Sequence, residues 1–217
     1  MSELAQELLA VAFSLALLAG YYAFLVRQVR RDPDYTIHAI NQRARQVWVA
    51  EVMRNSSKDI MAVQALRNYV MAATFKASSA VLLIIGTLTL SGQAENLSHT
   101  WHVFDGAAGP APAWWVTKVV CLLTVLIVAF FAFAMTVRIL NHVVFMISIP
   151  AAEANGQLAP ERVAARLNRA GKCYSVGMRA YFTTVPLVFW LFGPGLLVLA
   201  SIGLVLALYI LDRNPAR

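Results

Sequence analysis

The chain has 217 residues, 59% hydrophobic and only 13% charged, with a formal net charge of +7. That is too apolar for a water-soluble domain. A basic excess elsewhere suggests nucleic acid, but here the cations cluster between apolar runs, so the excess reads as membrane topology with some attraction to anionic lipid.

Four apolar runs, 4–26, 69–90, 114–149 and 181–211, are each long enough to cross a ~30 Å hydrocarbon core as a helix. Barrel-type alternation is absent, so the expected class is an all-α integral membrane protein of one domain with four transmembrane helices. Glu3 and Glu7 stand at the start of the first run, and Arg27, Arg30 and Arg31 follow it. A secretory signal has the opposite charge order, so the run is expected to stay as a span. Tyr21 and Tyr22 mark its cytoplasmic interface. Asp32-Pro33-Asp34 breaks the helix, and segment 34–67 follows as cytoplasmic helix. In it Ile37, Ile40, Ala44, Val47 and Trp48 repeat at helical spacing, interleaved with Arg43, Arg45 and Gln46.

A serine-capped start at Asn55-Ser56-Ser57-Lys58-Asp59 opens a second helix that reaches Leu90 and exceeds the membrane. Its membrane part is rich in small and hydroxyl residues, Ala72, Ala73, Thr74, Ala77, Ser78, Ser79 and Ala80, which either pack closely on another helix or line water. Lys76 lies among them. The loop 91–113 has no Lys or Arg. The positive-inside rule therefore puts both basic loops in the cytoplasm, with the N-terminus, this loop and the C-terminus outside. His99, His102 and Asp105 in the loop are a weak metal candidate without a fourth ligand.

Trp114 to Pro150 reads as one helix of about 37 residues, ~55 Å long. Arg138, Asn141 and His142 share a face near its cytoplasmic end. In the cytoplasmic segment 150–180, Pro160-Glu161 starts a helix with an apolar stripe of Val163, Leu167, Ala170, Tyr174 and Met178 and weak points at Gly171 and Gly177. The fourth run carries Pro186 and then Gly193-Pro194-Gly195, expected as a kink, with Ala200, Gly203 and Ala207 as a small packing face. Cys121 and Cys173 should lie at different depths and stay unbridged.

Several stretches carry a family resemblance: Arg67-Asn68 with Met71-Ala-Ala-Thr-Phe75 and Ala77-Ser-Ser79; Arg138-Ile-Leu-Asn141-His142 with Phe145 and Pro150; Leu167-Asn168-Arg169-Ala170-Gly171; Gly177-Met-Arg179-Ala-Tyr181; Pro186 through Trp190 to Gly193-Pro194; and Asp212-Arg213. Together they resemble the membrane-protein family known as domain of unknown function 599, found in bacteria and plants. The resemblance implies a four-span membrane fold and no activity. The position of Lys76 is usually apolar in that pattern, a departure that weakens any mechanism resting on Lys76 alone.

No nucleophile–base pair, phosphate loop or zinc signature is present, so an enzyme is not expected, and no cofactor is implied. The cations Arg67, Lys76, Arg138 and Arg179, with Asn68, Thr74, Ser78, Asn141 and His142, form a candidate intramembrane polar network, with no compensating acids in the second, third and fourth runs. Snorkelling to headgroups is the plainer reading of the same cations. If they face water, the path favours anions. The leading expectation is a homo-oligomeric ion channel in a bacterial inner membrane; the rival is a non-conducting scaffold or accessory subunit that binds another membrane protein.

Overall fold

The computed structural model describes residues 3–32, 35–92 and 112–213. They form six helices: α1 (Glu3–Arg31), α2 (Ile37–Arg54), α3 (Asp59–Gly92), α4 (Pro112–Ile147), α5 (Pro160–Phe192) and α6 (Pro194–Asp212). Among the described residues there is no strand, and Thr36 and Arg213 form one isolated antiparallel bridge. Four helical stretches are long and apolar enough to cross a membrane, Leu4–Arg31, Ser56–Gly92, Trp114–Ile147 and Pro194–Asp212. The protein is an all-α membrane-spanning protein. With 34 and 36 residues, α3 and α4 are ~50 Å long and exceed the hydrocarbon core.

The chain divides into two compact units, Met1–Thr36 with Leu82–Ile127 and Ala180–Arg217, and Ile37–Val81 with Val128–Arg179. In the first unit α1 presents Glu7, Ala10, Ser14, Tyr21 and Leu25 as a buried seam, and α6 presents Leu197, Ser201, Leu204 and Leu208. Ala10 shares a cluster with Leu197 and Trp190, and Tyr21 and Leu25 share another with Leu204 and Leu208. The two helices therefore run parallel, and the Tyr21 hydroxyl closes the far end by donating to Asp212 Oδ2 at 2.8 Å.

Gly193 is where the chain turns back. Along α5, Phe182 packs with the Tyr21 cluster and Trp190 with Ala10, so this segment runs opposite to both α1 and α6. The break between α5 and α6 is thus a hairpin and not the expected kink. Gly193 has φ of 149°, a region L side chains rarely adopt, and Pro194 starts α6 where its missing N–H costs nothing. The Trp190 carbonyl, freed by Pro194, accepts the Gly193 N–H at 3.3 Å. Pro186 lies inside α5, and no atom lies within 4 Å of a Cβ built on Gly195.

This reversal corrects the expectation that both chain ends emerge on one side: α6 ends beside Thr36, at the opposite end of α1 from Glu3. It also corrects the assigned packing face of α6. Gly203 and Ala207 are exposed, and the larger Leu197, Leu204 and Leu208 face α1 instead.

The second unit is a bundle around Val49, Val52 and Met53 of α2, Ala62 and Leu66 of α3, Leu140, Val143 and Ile147 of α4, and Val163, Leu167 and Ala170 of α5. Trp48 packs on its edge, so the amphipathic helix is part of a core. The cap ahead of α3 is Asn55, not serine: its side chain accepts from Ser57 N at 3.1 Å, and one 3-10 turn (Ser56–Lys58) intervenes. Of the small residues on α3, Ala73, Ala77 and Ala80 are buried at i, i+4, i+7 spacing, whereas Thr74 and Ser78 are exposed.

The two glycines of α5 are contacts and not weak points. A Cβ on Gly177 would meet the Phe133 ring at 2.7–2.9 Å, and one on Gly171 would meet the Arg45 guanidinium at 3.0–3.1 Å. Hydrogen stands there so that a ring and a guanidinium can lie flat on the helix.

Candidate functional site

Glu7 and Lys118 form the most concentrated chemistry in the described residues. Glu7 lies in the second turn of α1, Lys118 in the second turn of α4, and Trp190 in the last turn of α5. The Lys118 ammonium donates to Glu7 Oε1 at 2.7 Å, and Trp190 Nε1 donates to Glu7 Oε2 at 2.7 Å. Each carboxylate oxygen therefore has its own donor. Lys118 Nζ also stands 5.5 Å from the centroid of the Trp190 ring, within cation–π range. The Lys118 and Glu7 side chains are 2% and 9% exposed.

Two charges so buried are tolerable only as a pair, because each alone would keep most of its desolvation cost. The cluster ties three helices of the first unit at one point, and the Tyr21–Asp212 bond ties the opposite end of α1. Between them, Ser14 and Ser201 occupy matching levels of the α1–α6 seam, their hydroxyls buried and without a partner among the described residues.

Sequence reasoning passed over this site. Glu7 was assigned to a charged flank, and Lys118 is a single cation inside a long apolar run. The signal was available: one acid and one base, each isolated in a hydrophobic helix, satisfy each other more cheaply than any alternative. Trp190 enters the sequence reading only as part of the family-like stretch from Pro186 to Pro194.

The expected polar network sits elsewhere. Arg67, Asn68, Thr74 and Ser78 on α3 and Arg138, Asn141 and His142 on α4 are all exposed, and Lys76 and Arg179 are half-buried. All nine belong to the second unit. They do not gather around an interior path; seven of them decorate the outside of the bundle. The buried polar contact of this unit is a different one. Arg45 Nε donates to Asn168 Oδ1 at 2.7 Å, and Asn168 Nδ2 donates to the Gln42 carbonyl at 3.3 Å. Burial pulls the Arg45 guanidinium below its ordinary pKa, opposed by the nearby Tyr69. On the surface, Lys58 donates to Glu51 at 2.7 Å and holds that carboxyl below the usual carboxylate value.

Among the described residues no group of three or more His, Cys, Asp or Glu could hold a metal, and Cys121 and Cys173 are free. His99, His102 and Asp105 lie outside the described residues.

No curated protein and no solved structure matches the chain. A family model does, described as protein of unknown function, DUF599, over residues 9–216. The match takes in Lys118 and Trp190 and begins two residues after Glu7, and on its extent this chain belongs to the DUF599 family.

Proposed function

We propose that the protein is a non-catalytic docking subunit of a membrane assembly, in which the second unit binds a partner that is acidic and apolar. The observation that carries this reading is the exposure of large apolar side chains where lipid does not account for it. Val47, Ile60 and Phe145 are 71%, 76% and 79% exposed. Val47 is on α2, outside the apolar runs, and Ile60 is the second residue of α3, about nine residues or ~13 Å short of the apolar run that begins at 69. Phe145 lies 31 residues, ~46 Å, along α4 from Trp114, beyond a ~30 Å core. Apolar surface in water marks an interaction site. The charge suits an acidic partner: residues 37–81 and 128–179 hold twelve Lys and Arg against four Asp and Glu. A bacterial inner membrane is the setting of this reading.

Photo-crosslinking from positions 60 and 145 in native membranes tests it. A discrete adduct with a second polypeptide, lost when Val47 is changed to serine, supports docking. Adducts with lipid alone overturn it.

A second reading, a homo-oligomeric anion-favouring channel, draws on the outer side of α3. Arg67, Asn68, Met71, Thr74, Phe75 and Ser78 are exposed along one helical face. Copies meeting there would place hydroxyls and cations along a path between chains, while Lys76, half a turn round the helix from Arg67, lies off that face. Chloride flux into liposomes, compared with potassium, tests this reading, and Arg67→Leu should alter the flux more than Lys76→Leu.

A further inference from the structure

The C-terminal end of α1 carries a shallow, open surface depression formed by that helix alone and lined by Tyr22, Ala23, Val26, Arg27, Arg30 and Arg31. We propose that it binds an acidic phospholipid, the phosphate on the arginines and the acyl region on Ala23 and Val26. The inference rests on the membrane-spanning fold and not on the docking reading.

Arg27, Arg30 and Arg31 stand at i, i+3 and i+4 and so share one side of the helix. All three are exposed, and among the described residues none has a carboxylate partner. Cations in the last turn of a helix favourably oppose the C-terminal dipole. That accounts for positive charge at this end, but not for the exposed apolar strip of Ala23 and Val26 beside it. Three guanidinium groups so close repel one another, and a phosphate relieves that repulsion through forked, charge-assisted hydrogen bonds. The apolar strip begins one turn nearer the middle of the span, where Tyr22 is half-buried and Ala23 and Val26 are exposed. A lipid fits that order of chemistry, phosphate at the helix end and hydrocarbon towards the span. Inorganic phosphate would use the arginines and leave Ala23 and Val26 without a role.

The test uses the full chain in neutral detergent, with native mass spectrometry and thermal unfolding as readouts. Phosphatidylglycerol, phosphatidylcholine with the same chains, and inorganic phosphate are titrated separately. The expected result is one phosphatidylglycerol retained per chain, a raised unfolding midpoint, and no matching effect of phosphatidylcholine. Substituting all three arginines by Gln should weaken retention by roughly ten-fold or more. Because that variant also removes a topological signal, Ala23→Trp provides an independent check: it keeps every charge, covers the apolar strip, and should weaken retention comparably. Equal retention of both lipids, or unchanged retention by the properly folded Ala23→Trp variant, would overturn the proposal. Complete competition by millimolar phosphate would reassign the site to a free anion and overturn it as well.

Discussion

Lys118 and Glu7 are 111 residues apart in the chain and 2.7 Å apart in space, and Trp190 supplies the donor to the second carboxylate oxygen. Glu7→Gln leaves a buried ammonium without its counter-charge and should destabilise by ~3–5 kcal/mol, as should Lys118→Met. The double variant Glu7→Leu/Lys118→Met removes both charges and should recover much of that loss. Trp190→Phe, which deletes the indole donor and part of a buried ring, should cost at least ~1.5–3 kcal/mol. Unfolding of the purified variants in one detergent measures the coupling, and additive single and double effects would rule out an interacting pair.

The glycine contacts on α5 give opposite expectations for similar substitutions. Gly177→Ala puts a methyl group within 2.7 Å of the Phe133 ring, which is fully buried and cannot retreat easily. A cost of ~1–3 kcal/mol follows, relieved in Gly177→Ala/Phe133→Leu. Gly171→Ala meets the far end of a flexible arginine at 3.0 Å, and the helix gains propensity. Its net effect should be near zero, and it should become stabilising once Arg45 is replaced by Ala. A larger penalty at 171 than at 177 in thermal unfolding would contradict this account.

The same α5 shows what a sequence makes legible and what it conceals. Long apolar runs and the charge between them are local, one-dimensional signals, so the all-α membrane class could be read directly. The direction of the chain after Gly193 is set by which side chains meet across helices, Phe182 with Leu204 and Trp190 with Leu197, and no local pattern encodes that. A Gly-Pro-Gly break is compatible with a kink and with a reversal alike. The polar network is assigned to membrane depth because its residues lie in or beside the apolar runs, but a run does not say which face of its helix turns to the bundle. Leu140 and Val143 took the interior, leaving Arg138, Asn141 and His142 outside.

Gly193 and Gly195 separate backbone from packing at that reversal. With φ of 149° at Gly193, Ala there should destabilise by ~1–3 kcal/mol whatever space surrounds it. Gly195 is helical and open, so Gly195→Ala should stabilise by ~0.4–1 kcal/mol by restricting the unfolded chain. Denaturant midpoints of the two variants should move in opposite directions.

Glu51 gives the second unit a small dependence on acid. Its hydrogen bond and charge interaction with Lys58 hold the folded carboxyl below its unfolded value. A carboxyl lowered on folding stabilises above its unfolded pKa, near 4.5, and that contribution fades as pH falls through the folded value. The pair is exposed, so the effect is modest. Glu51→Gln should lower the unfolding temperature slightly at pH 8, where the pair contributes, and converge on the parent at acid pH, so that the acid-side decline becomes flatter. An identical pH profile for variant and parent would remove the pair from the stability balance.

The hairpin at Gly193 has its plainest consequence in topology. Tyr21 bonded to Asp212, and Thr36 bridged to Arg213, put the end of α6 with the end of α1 that carries Arg27, Arg30 and Arg31. Glu3 begins α1 at the other end. Single cysteines at positions 3 and 213, in a background with Cys121 and Cys173 replaced by Ala, should therefore react with an impermeant maleimide from opposite sides of a sealed vesicle. By the positive-inside rule the arginine-rich end is cytoplasmic, so position 213 should be protected in right-side-out spheroplasts and position 3 labelled. Labelling of both from one side would mean that α6 does not return along α1, and the hairpin would have to be replaced by a kinked single span.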